Sequence, residues 1–343
     1  MAKVLRLHEY TGVDGIRLDD IPVGEPGRNE VRINVDAFSL NYGDFELFEN
    51  KYVFSMDLPA RFGDECAGVI DAIGPDVSGF KVGDKVCTLP WMNEGYGVNG
   101  AFAIVPADFV ARYPENLSVE EACSVWVAYM TAYFALFDIS EIKVGDHVLI
   151  TAASSSSGLA AMEICKMLGA KTIGTSRTHN NDEFLLDAGF DHVIAQSDYE
   201  TGDYEMGDGK MATTIMELTA GKGVNVAYDP IGGPILRDYA YALAQNPQVI
   251  IYGNMDPRPT VLPEIVLTQK RAFIRSYSVY QFIYNKEARE RGIRFCYNAL
   301  KSGELKAYFE RVFSIEDFRQ AFEHQQSAST RRGKILISAT RGD

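Results

Sequence analysis

The sequence predicts an α/β protein in which a barrel-like β unit is followed by a doubly wound parallel sheet, and three observations predict it. The first third consists of short apolar or period-2 runs punctuated by Gly and Pro. From Asp146 onward, strand and helix patterns alternate regularly. At the start of that alternation lies a turn of small residues, Thr151-Ala152-Ala153-Ser154-Ser155-Ser156-Ser157-Gly158-Leu159-Ala160-Ala161.

The elements follow in order. Val31 to Ala37 alternates at period 2, Ala67 to Gly74 is a short apolar strand ending in Gly, and Lys81 to Val86 places a Gly-Asp turn between valines. Glu120 to Leu136 has helical apolar spacing. Strands are expected at His147–Ala152, Lys171–Thr175, His192–Ala195, Val224–Tyr228, Val249–Tyr252 and Ala272–Tyr277, with helices beginning near Ser156, Asn181, Lys210 and Gly232. Ile283 to Leu300 reads as a long amphipathic helix, and the last forty residues as strand, helix and strand. Ser197 to Gly209 reads as a solvated loop.

Composition bounds the function. A chain of 343 residues with 46% hydrophobic and 23% charged side chains has the make-up of a folded globular protein of two domains or one large α/β unit. The net charge of −14 disfavours nonspecific attraction to nucleic acid or to an anionic membrane. The charge is uneven, with residues 270–343 carrying 15 Lys/Arg against 8 Asp/Glu, interleaved as on solvated helix faces. The first residues lack the apolar run of a signal peptide, and no stretch of about 18 apolar residues follows, so a cytoplasmic protein with no membrane partner is expected. Five scattered cysteines, Cys66, Cys87, Cys123, Cys165 and Cys296, read as reduced buried thiols.

The serine turn is the candidate cofactor site. A tight strand-to-helix turn aims backbone amides and the positive end of the helix dipole at an anion such as a pyrophosphate, and Ser155, Ser156, Ser157 and Gly158 would supply small side chains and hydroxyl donors. Ala152 and Ser155 stand where a dinucleotide fingerprint has Gly, so the run by itself also fits a capped helix without ligand. About 19 residues further on, at the end of the second strand, stand Ser176 and Arg177. An NAD-specific fold places Asp or Glu there, whose charge would repel a 2′-phosphate, whereas Arg177 forms charge-assisted hydrogen bonds with one. NADP(H) is therefore the expected cofactor, with an ordinary surface arginine as the alternative.

Several segments, in order and spacing, resemble the medium-chain dehydrogenase/reductase superfamily and its zinc-free quinone oxidoreductase (zeta-crystallin-like) branch. They are Gly63-Asp64-Glu65-Cys66-Ala67-Gly68, Lys81-Val82-Gly83-Asp84-Lys85-Val86, Thr131-Ala132-Tyr133, Lys143-Val144-Gly145-Asp146, the serine turn, Tyr228-Asp229-Pro230-Ile231-Gly232-Gly233 and Gly333-Lys334-Ile335-Leu336. The resemblance implies a GroES-like β-barrel domain over 1–126, completed by 301–343, and a Rossmann NADP(H)-binding domain over 127–300. It also implies a homodimer, with edge strands near Ala272 to Tyr277 as the pairing element.

It further assigns candidate residues. Asn41 would sit beside the nicotinamide, Tyr52 would line the substrate site, Thr131 would meet the nicotinamide-side phosphate or ribose, and Lys334 would add a cation there. Pro230 and Gly253 fall at strand ends where open α/β sheets bind ligands. From residue type alone, Asn41 also fits a turn and Tyr52 a packed aromatic. Asp44 is expected to hold its loop, and Asn50 to replace a turn glycine.

No metal site is expected. Zinc-dependent relatives ligate through the His of a G-H-E stretch, where this chain has Asp64; His8 is the only histidine in the first 146 residues, and no Cys lies near Ser39-Leu40-Asn41-Tyr42. Without a Lewis acid, a conjugated acceptor suits hydride transfer, because the charge left behind spreads to a remote oxygen that hydrogen-bond donors stabilise. The expected function is NADPH-dependent reduction of a quinone or other conjugated carbonyl. The alternatives are a 2-alkenal or enoyl reductase and a low-turnover NADPH-binding structural or regulatory protein.

Overall fold

Val31, Ile33 and Val35 alternate with polar residues, and the strand Glu30–Ser39 accordingly buries one face in the core. It is the centre of a seven-stranded sheet in a computed structural model that describes residues 1–91, 96–199, 209–327 and 330–340. The strand order is Phe309–Ser314, Lys334–Ser338, Glu30–Ser39, Cys66–Ile73, Lys85–Thr88 and Val110–Arg112, with Phe102–Pro106 also paired to Glu30–Ser39. A smaller sheet of Ile16–Ile21, Ala2–Leu7 and Ala60–Arg61 completes the β unit.

Register decides what meets at the end of this sheet. Lys334–Ser338 runs antiparallel to Glu30–Ser39 with Leu336 opposite Ser39, which carries Lys334 to the level of Asn41. On the other side Phe38 pairs with Cys66, so Asp64 and Glu65 arrive at the same level. The helix Gly43–Phe48 then holds the Asn41 turn in place, because Phe45 and Phe48 both pack edge-on against Phe322 at 5.7 and 5.3 Å. Asn50 adopts a left-handed backbone, φ 55°, as the turn requires.

The second sheet has six parallel strands in the order His192–Ala195, Lys171–Ser176, His147–Ile150, Val224–Asp229, Leu243–Ile251 and Phe273–Ser276. The chain leaves His147–Ile150 in one direction and returns on its other side, making the switch point at whose carboxyl ends such sheets bind ligands. The strand expected from Val249 starts earlier, at Leu243. Pro247 hides this extension from a sequence reading, and the structure absorbs it at a register irregularity between Val224 and Val226.

Other boundaries differ for physical reasons. The single helix expected over Glu120 to Leu136 is two helices, Val119–Cys123 and Trp126–Tyr133, followed by a π-helical segment, Phe134–Ile139. The helix Glu264–Lys270 was not expected. Ser197–Gly209 falls largely outside the described residues.

Two compact units emerge, Met1–Met130 with Ile283–Asp343, and Thr131–Phe282. The helix Lys286–Ser302 thus belongs to the first unit, where the expected division at 300 put it in the second. Its buried side explains this: Cys296 lies 4.0 Å from the Met130 sulfur, the Leu300 carbonyl accepts from Asn116, and Arg289 stacks on Phe109.

Candidate active site

In the first unit, a buried polar network occupies the sheet end described above. Lys334 Nζ lies 3.0 Å from Glu65 Oε2, with side-chain exposures of 3% and 0%. Glu65 is further held by the Ser39 hydroxyl at 2.5 Å and the Val127 amide at 2.8 Å. Lys334 also donates to Asn41 Oδ1, and Asn41 Nδ2 donates to Asp64 Oδ1 at 2.9 Å. The Asn41 backbone N–H donates to Asp44 Oδ2 at 2.9 Å, which is the loop-holding role expected of Asp44.

Asp44 does more than hold the loop. It is almost fully buried, its Oδ1 has no hydrogen-bond partner, and its carboxyl is pushed up to about 7 by burial and by the neighbouring Asp64 charge. The N-x-x-D spacing is legible as a turn, but the burial that shifts the acid is not. Asp64 and Glu65 were likewise absent from the expected site; the sequence carried Asp64 only as a departure from a metal motif and Glu65 only as a match within the same stretch. Tyr52, half-buried, lies over the backbone of Gly43, where a Cβ would come within 3.1 Å of its ring, and packs edge-on to Phe54.

In the second unit, the serine turn leads into the helix Ser156–Met167. Ser155 is its N-cap, accepting from the Gly158 N–H at 3.1 Å, and its extended backbone needs no glycine. Gly158 does have to be glycine: a Cβ there would stand 2.6 Å from the Ala153 carbonyl oxygen and 2.8 Å from that of Ala152. Ala152, the other departure from the fingerprint, adopts φ 49°, a left-handed conformation that costs a non-glycine residue about 1–2 kcal/mol.

The neighbouring strand ends in Ser176 and Arg177. Ser176 Oγ donates to the Thr178 carbonyl at 2.7 Å, Arg177 is exposed, and its carbonyl accepts from Ser197 N–H at 3.0 Å. Pro230 and Gly253 are brought together, since a Cβ on Gly253 would lie 2.5 Å from the Pro230 oxygen. Thr131 is held from behind, its carbonyl accepting from the Tyr277 hydroxyl at 3.0 Å. Asp229, to which the sequence reading gave no role of its own, is fully buried and accepts from Thr151 Oγ1, Tyr239 OH and the amides of Ile231 and Gly232.

Two family models match the chain: the alcohol dehydrogenase GroES-like domain over residues 27–115, and zinc-binding dehydrogenase over 158–298. The chain is 27% identical over 338 residues to 2-haloacrylate reductase of Burkholderia sp, covering 96% of this chain and 97% of the relative. It is 26% identical over 340 residues to quinone oxidoreductase 1 of Escherichia coli K12, covering 98% and 100%. The structure of Escherichia coli quinone oxidoreductase complexed with NADPH superposes with a TM-score of 0.87 at 24% identity, over 98% and 99% of the two chains.

The chain therefore carries an alcohol dehydrogenase GroES-like domain followed by a zinc-binding dehydrogenase domain, and over nearly its whole length it is similar to the quinone oxidoreductase branch of the medium-chain dehydrogenase/reductase superfamily.

The zinc implied by one of the superfamily's domain names does not fit the donors present. The Asp64 carboxylate is engaged by Asn41, and among the described residues no group of three or more His, Cys, Asp or Glu is arranged to hold a metal. Burial pushes the Cys66 thiol up to about 12 and the other four thiols higher than usual, so none is a ready thiolate ligand or nucleophile. NADP(H), by contrast, fits the second unit: the serine turn leaves no room for a side chain at Gly158, the helix start offers its amides, and no acid stands at 176 or 177.

Proposed function

We propose that the protein is an NADPH-dependent reductase that delivers hydride to a quinone or another conjugated carbonyl acceptor without a metal. The observation that carries this reading is the pairing of the Ser155–Gly158 helix start with Ser176 and Arg177 at the end of the adjacent parallel strand. The first would hold a pyrophosphate on the amides of Ser156 and Ser157, the Gly158 amide being taken by the Ser155 cap, and the second a 2′-phosphate.

The reduced nicotinamide supplies the hydride. Everything else falls to the chain. Thr131 would meet the nicotinamide-side phosphate or ribose, Pro230 and Gly253 would border the cofactor at the strand ends where open α/β sheets bind ligands, Asn41 and Tyr52 would give hydrogen bonds to carbonyl oxygens, and the charge arriving on the acceptor would spread through its conjugation. Lys334 contributes positive potential, its ammonium already committed to Glu65 and Asn41.

Loss of NADPH absorbance against a panel of quinones and 2-alkenals tests the reading; tight NADPH binding with no turnover on any of them would favour a structural or regulatory role. Arg177→Asp is expected to cut the NADPH over NADH preference at least about 100-fold, on the scale of two charge-assisted hydrogen bonds. An unchanged ratio of dissociation constants would remove the 2′-phosphate site. The resemblance to 2-haloacrylate reductase favours a conjugated acid as the second reading, and 2-haloacrylates added to the same panel decide it.

We place the protein in the cytoplasm as a homodimer. Five free, buried cysteines support the first. The second is supported by the outermost strand, Phe273–Ser276, which is exposed at all four residues and presents Phe273 and Ile274. No helix among the described residues is long and apolar enough to cross a membrane.

A further inference from the structure

We propose that Asp64 and Lys334 are positioning residues that lock the Asn41 side-chain amide in one orientation, so that it serves as a one-way hydrogen-bond donor to a carbonyl oxygen of the bound reactants. The inference rests on the reductase reading and deepens it.

An amide has an acceptor end and a donor end, and turning it over exchanges them. At Asn41 the acceptor faces Lys334, an ammonium that only donates, and the –NH2 faces Asp64, a carboxylate that accepts when ionised. The reversed amide would set –NH2 against –NH3⁺ and C=O against –COO⁻, losing both charge-assisted bonds and replacing each with repulsion.

The surroundings leave little else to move. Glu65 neutralises Lys334 in the interior and is itself tied to Ser39 and to the Val127 amide. Asp44 takes the Asn41 backbone N–H. Backbone, side-chain oxygen and one side-chain N–H of Asn41 are therefore all committed, while the residue itself stays half-exposed. The second N–H of Nδ2 is what it offers. A lone N–H suits a carbonyl oxygen, supplied either by the nicotinamide carboxamide or by the acceptor. An acid at position 64 makes the direction unambiguous, whereas a histidine could present either polarity.

The test exchanges the two side chains, N41D/D64N, beside the single variants N41D and D64N. In the exchanged chain Asp at 41 still accepts from Lys334 and now accepts from Asn at 64, so the inner bonds survive but no outward N–H remains. The expected result is melting close to wild type for the exchanged chain, with about a 10- to 100-fold loss in function that the exchange does not rescue. The loss is read two ways: NADPH dissociation constant by fluorescence titration without acceptor, and kcat and KM with a quinone. A loss in NADPH affinity assigns the oxygen to the nicotinamide; unchanged affinity with reduced kcat or raised acceptor KM assigns it to the acceptor.

The proposal is overturned if the exchange restores both affinity and turnover, which would make the contacts merely structural, or if the exchanged chain fails to fold although both bonds are kept. It is also overturned if N41D behaves as wild type. Should wild type reduce no acceptor at all, the reductase reading fails separately; the NADPH affinities then decide, and their equality across the variants overturns the positioning role.

Discussion

Both units bury carboxylates at the ends of central strands, yet they satisfy them differently. Asp229 in the second unit takes hydrogen bonds from four neutral donors, two hydroxyls and two backbone amides, and by this means ties the loop after Val224–Asp229 to the neighbouring strand and helix. In the first unit Glu65 faces an ammonium, Asp64 holds an amide, and Asp44 keeps one oxygen without a partner. Neutral donors close a network and rigidify a scaffold. Charged partners with one valence left over orient a side chain for use.

Removing the cation should break this comparison most severely. Lys334→Met leaves Glu65 as an uncompensated buried charge, and a loss of about 3–5 kcal/mol is expected in denaturant unfolding; a loss below about 1 kcal/mol would mean that the pair does not hold the sheet end. The pH dependence of the same unit comes next. The Asp44 pKa is higher folded, about 7, than unfolded, near 3.9, so the native state binds the extra proton between those values. Stability should therefore fall as pH rises from about 4 to about 7, by up to about 1.4 kcal/mol per pH unit, and level off above; Asp44→Asn should flatten this limb.

The second unit predicts smaller effects. Asp229→Asn turns one acceptor into a donor among donors and should cost about 1–3 kcal/mol; burial raises the Asp229 carboxyl too, against the pull of its four donors, so the variant should also lessen the fall of stability with rising pH, by less than Asp44→Asn does. A pH-dependent cost as steep as that of Asp44 would erase the contrast. Smallest of all, Ala152→Gly should relieve the left-handed strain and raise stability by up to about 1 kcal/mol, partly offset by a freer unfolded chain. Thermal melting reads it, and a clear loss would show that the alanine methyl packs usefully.

Much of this was legible in local pattern. Regular strand and helix periodicity revealed the parallel sheet, and small residues followed by the Ser176-Arg177 pair marked the edge proposed to bind phosphate. Those signals act over a few residues and survive in a one-dimensional reading. The Leu243–Ile251 strand was cut short because Pro247 looks like a terminator when its pairing partner is unknown. The helix Lys286–Ser302 groups by its contacts with the first unit, which the sequence does not show, because amphipathicity says that one face is buried and not against what.

The network around Asn41 lay beyond such reading altogether. Lys334 is 293 residues from Asn41, and nothing local in either segment points to the other. By itself the sequence determined the fold class, the two kinds of sheet, the missing fingerprint glycines and the absence of an acid where a 2′-phosphate would bind. Only the tertiary structure decided that the C-terminal strand pairs with Glu30–Ser39 in the register that sets Lys334 level with Asn41, and that Asp64 closes the other side. The reason is physical: periodicity specifies which face of a strand is buried, whereas register follows from the closing of the whole sheet.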